Sequence, residues 1–343
     1  MGRSLVVLPD DGAAPLVDAI RAAKASLRLK MFVLTDERLI AEVVGAHRRG
    51  VAVRVMLNPA RRSGKEDNVA SRYALEAAGV AVKDSSPAFE LTHEKSLVVD
   101  DSVAYVMSLN WEKRNLRKTR DFAVVTTVRH EVDEVAACFD ADWARVPFAP
   151  PDASRLVWCN RNARERFARF VDAATTTLWL QNERYQDPVV VERIVRAARR
   201  GVDVRVLARR PHSFKEAKLI EALSGLRAMH EAGAKVRRMK GLKLHGKAMI
   251  ADGARAIVGS VNLTPGSFDA RRDLAIEVDD PAVVAPLAEI ARNDWDRSLS
   301  LELSDRAVLA DLAKHGQLSR VARVAIGLAL QRTRRRSSQG AVS

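Results

Sequence analysis

Two short stretches of this chain place a histidine and a lysine two positions apart: His93-Glu94-Lys95 and His245-Gly246-Lys247. Each is followed by an aspartate (Asp100, Asp252) and then by a serine and an asparagine separated by one residue (Ser108 and Asn110, Ser260 and Asn262), and every landmark recurs 152 positions later. In a strand alternate side chains project to one side, so each His and Lys pair faces the same way. An imidazole can attack phosphorus or carry a proton, an ammonium supplies compact positive charge, and a hydroxyl and an amide donate hydrogen bonds. That combination suits a phosphate.

The run H-x-K-x4-D-x6-G-S-x-N, complete from His245 to Asn262, resembles the signature of the phospholipase D superfamily. One such short motif can arise by accident, whereas two in register are far harder to obtain that way. The first copy departs from the pattern at one place, where Met107 stands at the position of Gly259. A glycine there is expected to let the backbone approach the phosphate, so Met107 is expected to narrow or reshape its side of the site. The resemblance implies an α/β fold of two duplicated phospholipase D-like α-β-α units packed about a pseudo-twofold axis, with both His-Lys pairs in one cleft. It also implies His93 as nucleophile and His245 as acid and base.

Phosphodiester exchange needs a nucleophile, a proton for the leaving alkoxide and positive charge on the non-bridging oxygens. Lys95 and Lys247 are expected to hold those oxygens, with no metal or other cofactor required. An imidazole acting in this way needs its second nitrogen fixed by a carboxylate. Asp121 and Asp273, each 28 residues after a motif histidine, are the candidates; the alternative is that they pair with Arg120 and Arg272 at the surface. Asp100 and Asp252 fall at turns, where a structural task is expected. His47, His130, His212, His230 and His315 have no partner motif and are read as surface or packing residues.

The elements that must position these groups also repeat. Helical periodicity over 14–26, a strand over 27–34, a helix over 37–49 and a buried strand over 51–57 make a β-α-β pattern, expected in a largely parallel sheet. The same order returns as a helix over 164–174, a strand over 178–181, a helix over 189–200 and a strand over 202–207. Arg48-Arg49-Gly50-Val51 answers Arg199-Arg200-Gly201-Val202, and Asp142-Trp143 answers Asp294-Trp295. Residues 1–146 and 152–300 are therefore read as the two halves, joined by a proline-rich linker over 147–151. Basic loops follow equivalent strands in the two halves. Such strand-end loops line ligand crevices in α/β sheets, which makes Arg61 and Arg210 candidates for substrate binding. Residues 301–343 form a helical extension, interrupted near Gly316, with a basic segment over 318–336. That segment is expected either to lie on anionic lipid or to dock on the domain ahead of a basic tail.

The chain has 343 residues, 57 of them Lys or Arg against 43 Asp or Glu, for a net charge of +14 and a pI near 10.2. Such a balance favours polyanionic partners, nucleic acid or an anionic membrane surface, though an arginine-rich proteome gives the same figure. No run of 18 apolar residues exists, so a membrane span is not expected, and the start of the chain lacks the pattern of a secretory leader. Cys138 and Cys159 show no metal-ligand spacing and are read as reduced thiols. Three readings follow. The first is a phosphatidyl-transferring enzyme, since Ser26-Leu27-Arg28-Leu29-Lys30-Met31-Phe32 and Arg48 to Val55 most resemble cardiolipin synthases within the superfamily. It would be a cytoplasmic monomer, peripheral on the inner membrane face, acting on anionic phospholipid. The alternatives are a nuclease acting on DNA or RNA and a non-catalytic anion-binding protein. The 5% aromatic content leaves few stacking platforms for single strands.

Overall fold

The apolar alternation of the chain becomes two mixed sheets, one for each half. A computed structural model describes residues 2–317 together with 321, 323–325 and 327–329. In the first sheet the strands run in the order Arg3–Leu8, Thr119–Thr126, Val103–Met107, Ser96–Val99, Ser26–Met31, Ala52–Leu57, Ala81–Asp84. The second runs Leu156–Trp158, Leu274–Val278, Arg255–Gly259, Ala248–Ala251, Thr177–Gln181, Asp203–Ala208, Lys235–Arg238, with Leu299–Ser300 at its far edge.

A largely parallel sheet was the expectation, and the structure corrects it. Within each half, pairing is parallel where a helix connects successive strands, as from Ser26–Met31 to Ala52–Leu57 to Ala81–Asp84 and in the corresponding trio of the second half. The strands that carry the motifs return through tight turns and pair antiparallel. The edge strand Arg3–Leu8, which pairs along its whole length with Thr119–Thr126, was also not foreseen. Asp36 and Asp187 cap the helices Glu37–Arg48 and Pro188–Arg199, accepting from the Leu39 and Val190 N–H at 3.2 and 3.1 Å.

Alternation along the motif strands sorts their side chains into two cores. Leu97, Val99, Tyr105 and Met107 face the outer core of the first half, against Leu16, Ile20, Leu39 and Val43 of the helices Ala14–Ala22 and Glu37–Arg48. Val98, Ala104 and Val106 face the other way. There they meet Ile250, Ala256 and Val258 of the second half, in a central core closed by the helices Arg129–Ala144 and Pro281–Asp296. The two halves therefore share buried apolar surface across the pseudo-twofold axis.

Two short parallel bridges cross the same boundary. Leu91–Thr92 pairs with Arg271–Arg272, and Lys243–Leu244 pairs with Thr119–Arg120. Each segment that leads into a motif histidine is thereby stitched to the strand that leads into the other half's aspartate.

The C-terminal helix Asp305–Lys314 ends ahead of Gly316, whose φ is 70°. Val308, Leu312, Val324 and Leu328 are buried in the outer core of the second half, and Val321 packs against it. The apolar side expected for 318–336 is thus docked on the domain where it is described. Arg320, Arg332, Arg334, Arg335 and Arg336 lie outside the described residues.

Candidate active site

Each motif strand ends beside a carboxylate of the opposite half. The His93 N–H and the Glu94 N–H both donate to the Arg272 carbonyl, at 2.8 and 2.9 Å, and the Gly246 N–H donates to the Arg120 carbonyl at 2.7 Å. Those contacts set His93 Nδ1 2.8 Å from Asp273 Oδ1 and His245 Nδ1 2.7 Å from Asp121 Oδ1. The two candidate carboxylates do meet the two imidazoles, but crosswise: the spacing of 28 residues pairs each aspartate with the other half's histidine. The surface alternative is not what the structure shows, since both aspartates are fully buried. Arg120 instead pairs with Asp294 at 2.9 Å and Arg272 with Asp142 at 2.7 Å, again across the halves.

With Nδ1 held, each Nε2 is left for chemistry. Both histidines and both lysines are nearly inaccessible, with no more than 8% exposure. Lys95 Nζ donates to the His93 carbonyl and Lys247 Nζ to the His245 carbonyl. Burial pushes the His93 pKa well down, helped by the positive charges of Lys95, Lys247, Arg271 and His245, so its imidazole is held neutral. Burial also pushes Lys95 well down, aided by Lys247. The charge of Lys247 reaches both His93 and Lys95 across the halves, which joins the two motif copies in one site.

The serines do something other than expected. Ser108 Oγ donates to Asp121 and Ser260 Oγ to Asp273, each at 2.6 Å, and each accepts a backbone N–H, from Phe122 or Leu274. A hydroxyl has one proton, so neither serine has a donor left for a phosphate; they orient the carboxylates. Asn110 and Asn262 are buried and their Oδ1 atoms have no partner.

The motif glycine also has a different reason. A Cβ on Gly259 would lie 2.3 Å from the Leu274 carbonyl oxygen and 2.4 Å from Ala275 Cα, so glycine is required by the close approach of the neighbouring strand. Met107 is fully buried in the outer core of the first half, among the side chains of the helices Ala14–Ala22 and Glu37–Arg48. Asp100 and Asp252 bind the backbone ahead of the neighbouring strand in each half. Asp100 accepts the N–H groups of Lys24, Ala25 and Ser26 at 2.7 to 2.8 Å, and Asp252 accepts those of Thr175, Thr176 and Thr177. Burial opposes these charges, but the backbone donors together outweigh it and hold both pKa values below the usual carboxylate range. Each turns its hairpin in the left-handed region, with φ of 50° and 56°.

Arg61 stands over the Phe32 ring at 5.5 Å, and Phe32 meets His93 edge-on with 4.8 Å between centroids. Arg210 lines a cavity of about 460 Å³ that also touches Glu183, Lys243 and Leu244. Arg61 thus stands on the His93 side, through Phe32, and Arg210 on the side of Glu183. His212 and His315 stack at 3.5 Å and meet Asp311, tying the C-terminal helix to the second half. Cys138 and Cys159 are free and buried.

Four groups at the centre escaped the sequence reading: Glu183, Asn115, Thr119 and Arg271. Thr119 Oγ1 and Asn115 Nδ2 donate to Asp121 Oδ2 at 2.6 and 2.8 Å. The corresponding positions 152 residues on are Arg271 and Ser267, and there Asp273 Oδ2 has no partner. Burial raises the Asp273 pKa to about 6, whereas at Asp121 the charge and hydrogen bond of His245, the charge of Lys247 and the Ser108 hydrogen bond overcome burial and lower the pKa. Glu183 Oε2 lies 3.1 Å from Lys247 Nζ and 3.9 Å from His245 Nε2. Because these groups differ between the copies, the repeat offered no signal for them. By contrast, Asp142 with Arg272 and Asp294 with Arg120 did repeat in the sequence and were visible as a pattern without a role.

A family model described as cardiolipin synthase, PLD-like domain, matches residues 16–143 and 167–295. Cardiolipin synthase B of Salmonella typhi is 24% identical over 301 residues, covering 73% of this chain and 70% of that protein. Cardiolipin synthase A of Pseudomonas aeruginosa strain LESB58 is 35% identical over 143 residues, covering 41% of this chain and 29% of its own length. Among solved structures, phosphatidylserine synthase of Haemophilus influenzae Rd KW20 has a TM-score of 0.70 at 11% identity over 94% of both chains. Polyphosphate kinase of Porphyromonas gingivalis has a TM-score of 0.68 at 15% identity over 86% of this chain and 47% of its own, and these two likenesses speak to the fold alone. Two family domains, each supplying the histidine of one crossed pair and the aspartate of the other, place the chain in the phospholipase D-like family of the cardiolipin synthase type.

Proposed function

We propose that this chain transfers phosphatidyl groups between alcohols through a covalent phosphohistidine. The observation that carries the reading is the pair of crossed dyads, His93 with Asp273 and His245 with Asp121, closed around Lys95 and Lys247. His93, neutral and fixed at Nδ1, attacks phosphorus through Nε2. The leaving alkoxide takes a proton from His245 Nε2, and Lys95 and Lys247 neutralise the non-bridging oxygens. In the second step an incoming hydroxyl gives its proton to His245, its oxygen bonds to phosphorus, and the His93 nitrogen-phosphorus bond breaks. The lysines supply the charge stabilisation that a metal ion gives in other phosphoryl-transfer sites.

The relatives named cardiolipin synthase support a phospholipid as substrate. The net charge of +14 supports peripheral contact with the anionic inner face of a membrane, on the cytoplasmic side. Among the described residues no helix is long and apolar enough to cross a membrane.

The test is to incubate the purified chain, with EDTA present, with phosphatidylglycerol vesicles and separately with DNA and RNA, and to follow products by mass spectrometry. Cardiolipin or phosphatidic acid, lost in His93→Ala, is the expected result. Cleaved nucleic acid with untouched lipid would move the same residues to a nuclease.

A further inference from the structure

The two histidines face different neighbours. The position of Phe32, against His93, is occupied in the second half by Glu183, 151 residues on, against His245. A carboxylate in a site built for phosphate demands a reason, because a like charge there repels the substrate. Burial pushes Glu183 up, but Lys247, His245, Arg209 and Arg184 outweigh it and hold its pKa well down, so it is ionised.

Its hydrogen-bonding capacity is not exhausted. Oε1 takes Arg209 Nη1 at 3.0 Å and Oε2 takes Lys247 Nζ at 3.1 Å. Each carboxylate oxygen has two lone-pair directions, so each keeps room for another donor. In the two-step reaction His245 meets the leaving alcohol first and the incoming alcohol second. The space beside His245 Nε2 therefore receives an alcohol in both steps.

The cavity that opens from Glu183 is strongly basic. It is lined by Arg114 of the first half and by Arg209, Arg210, Arg238 and Lys243 of the second. Arg238 Nη1 is buried without a hydrogen-bond partner. A guanidinium left in that state is suited to an anionic oxygen.

We propose that this cavity is the acceptor subsite and that Glu183 selects acceptors with two features, a hydroxyl that donates beside the reacting oxygen and an anionic group of their own. A glycerol phosphodiester has both; water and simple monohydric alcohols have neither. The inference rests on the phosphatidyl-transfer reading. In the selected step the reacting hydroxyl oxygen bonds to phosphorus, its proton goes to His245 Nε2, the phosphorus bond to His93 breaks, and the neighbouring hydroxyl donates to Glu183.

One incubation separates the possibilities. Phosphatidylglycerol vesicles with added ethanol offer three acceptors to one covalent intermediate: a second phosphatidylglycerol gives cardiolipin, ethanol gives phosphatidylethanol, and water gives phosphatidic acid. The product ratio depends on acceptor choice and not on how fast the intermediate forms. Glu183→Gln is expected to lower the ratio of cardiolipin to phosphatidylethanol about tenfold, the loss expected for a hydrogen bond to a charged group. Glu183→Asp keeps the charge beside Lys247 with a shorter reach and is expected to fall between; it carries the test if the glutamine variant does not fold. A ratio unchanged from wild type overturns the proposal. So does a wild-type chain that makes phosphatidylethanol and phosphatidic acid but no cardiolipin, which leaves the lipid reading standing. A wild-type chain that converts no lipid at all removes the lipid reading and the acceptor reading together.

Discussion

At the His93 end of the cleft the imidazole lies against the Phe32 ring, and its carboxylate, Asp273, has one oxygen without a partner. At the His245 end the neighbour is Glu183, and Asp121 is clamped by Ser108, Asn115 and Thr119 as well as by the histidine. Equivalent strands deliver both ends, so the backbone is common to them and the side chains around the dyads set them apart. An apolar face and surrounding cations keep His93 uncharged, as a nucleophile requires. An ionised, well-bonded carboxylate behind His245 suits a group that must carry a proton and release it. On the proposed mechanism, that difference lets a duplicated site divide its labour without changing its motif.

Removing either imidazole breaks the comparison most severely. His93→Ala and His245→Ala are each expected to lower turnover by about 10⁴-fold or more with the fold intact. A substrate with a p-nitrophenol leaving group separates them, since that group departs without a proton. His245→Ala should still release a burst of nitrophenol, and His93→Ala should release none. Equal bursts from both variants would deny the division of roles.

The aspartates give the next largest effect and differ in sign on stability. Asp121→Asn and Asp273→Asn should each lower turnover by on the order of 10²-fold or more. The pKa of Asp121 is lowered by folding, so its ionised form stabilises the native state, a contribution lost as pH falls through the folded pKa; Asp121→Asn should lower Tm at pH 7.5. The pKa of Asp273 is raised to about 6, so the native state takes up a proton between about pH 6 and 4 that the unfolded chain does not. Its ionised form at pH 7.5 therefore costs stability, and Asp273→Asn should raise it there by on the order of 1–3 kcal/mol, with the gain vanishing toward pH 4. Thermal melts across pH read both signs, and a common sign would contradict the asymmetry.

Smaller effects sharpen the equivalence of the backbones. Met107→Gly empties a packed position and should destabilise by about 2–5 kcal/mol while leaving acceptor choice unchanged. Asp252→Ala should lower Tm modestly by freeing the N–H groups of Thr175, Thr176 and Thr177.

The repeat made the framework legible before any coordinates. Identical spacing from His93 to Asn110 and from His245 to Asn262 identified the strands, the turns and the groups that converge. Asp121 and Asp273 were found because an acting imidazole needs a carboxylate. Their crossing was not readable, since spacing along a chain says nothing about which copy an edge segment bridges to. The serines were misassigned because the proton they spend on Asp121 and Asp273 is visible only in three dimensions. Gly259 was misread for a related reason: a glycine required by a neighbouring backbone and one required by a ligand look alike in sequence. Glu183 stayed hidden because a repeat marks only what its copies share, and this is one of the places where they differ.

The central claim is that His93 carries the phosphatidyl group, and the most direct measurement is to find it. Wild-type protein mixed with phosphatidylglycerol vesicles is quenched in alkali within milliseconds, where phosphohistidine survives, then digested and read by mass spectrometry. The account predicts the added mass on the peptide holding His93 and none on the peptide holding His245. Mass on His245, or turnover with neither histidine ever modified, would contradict it.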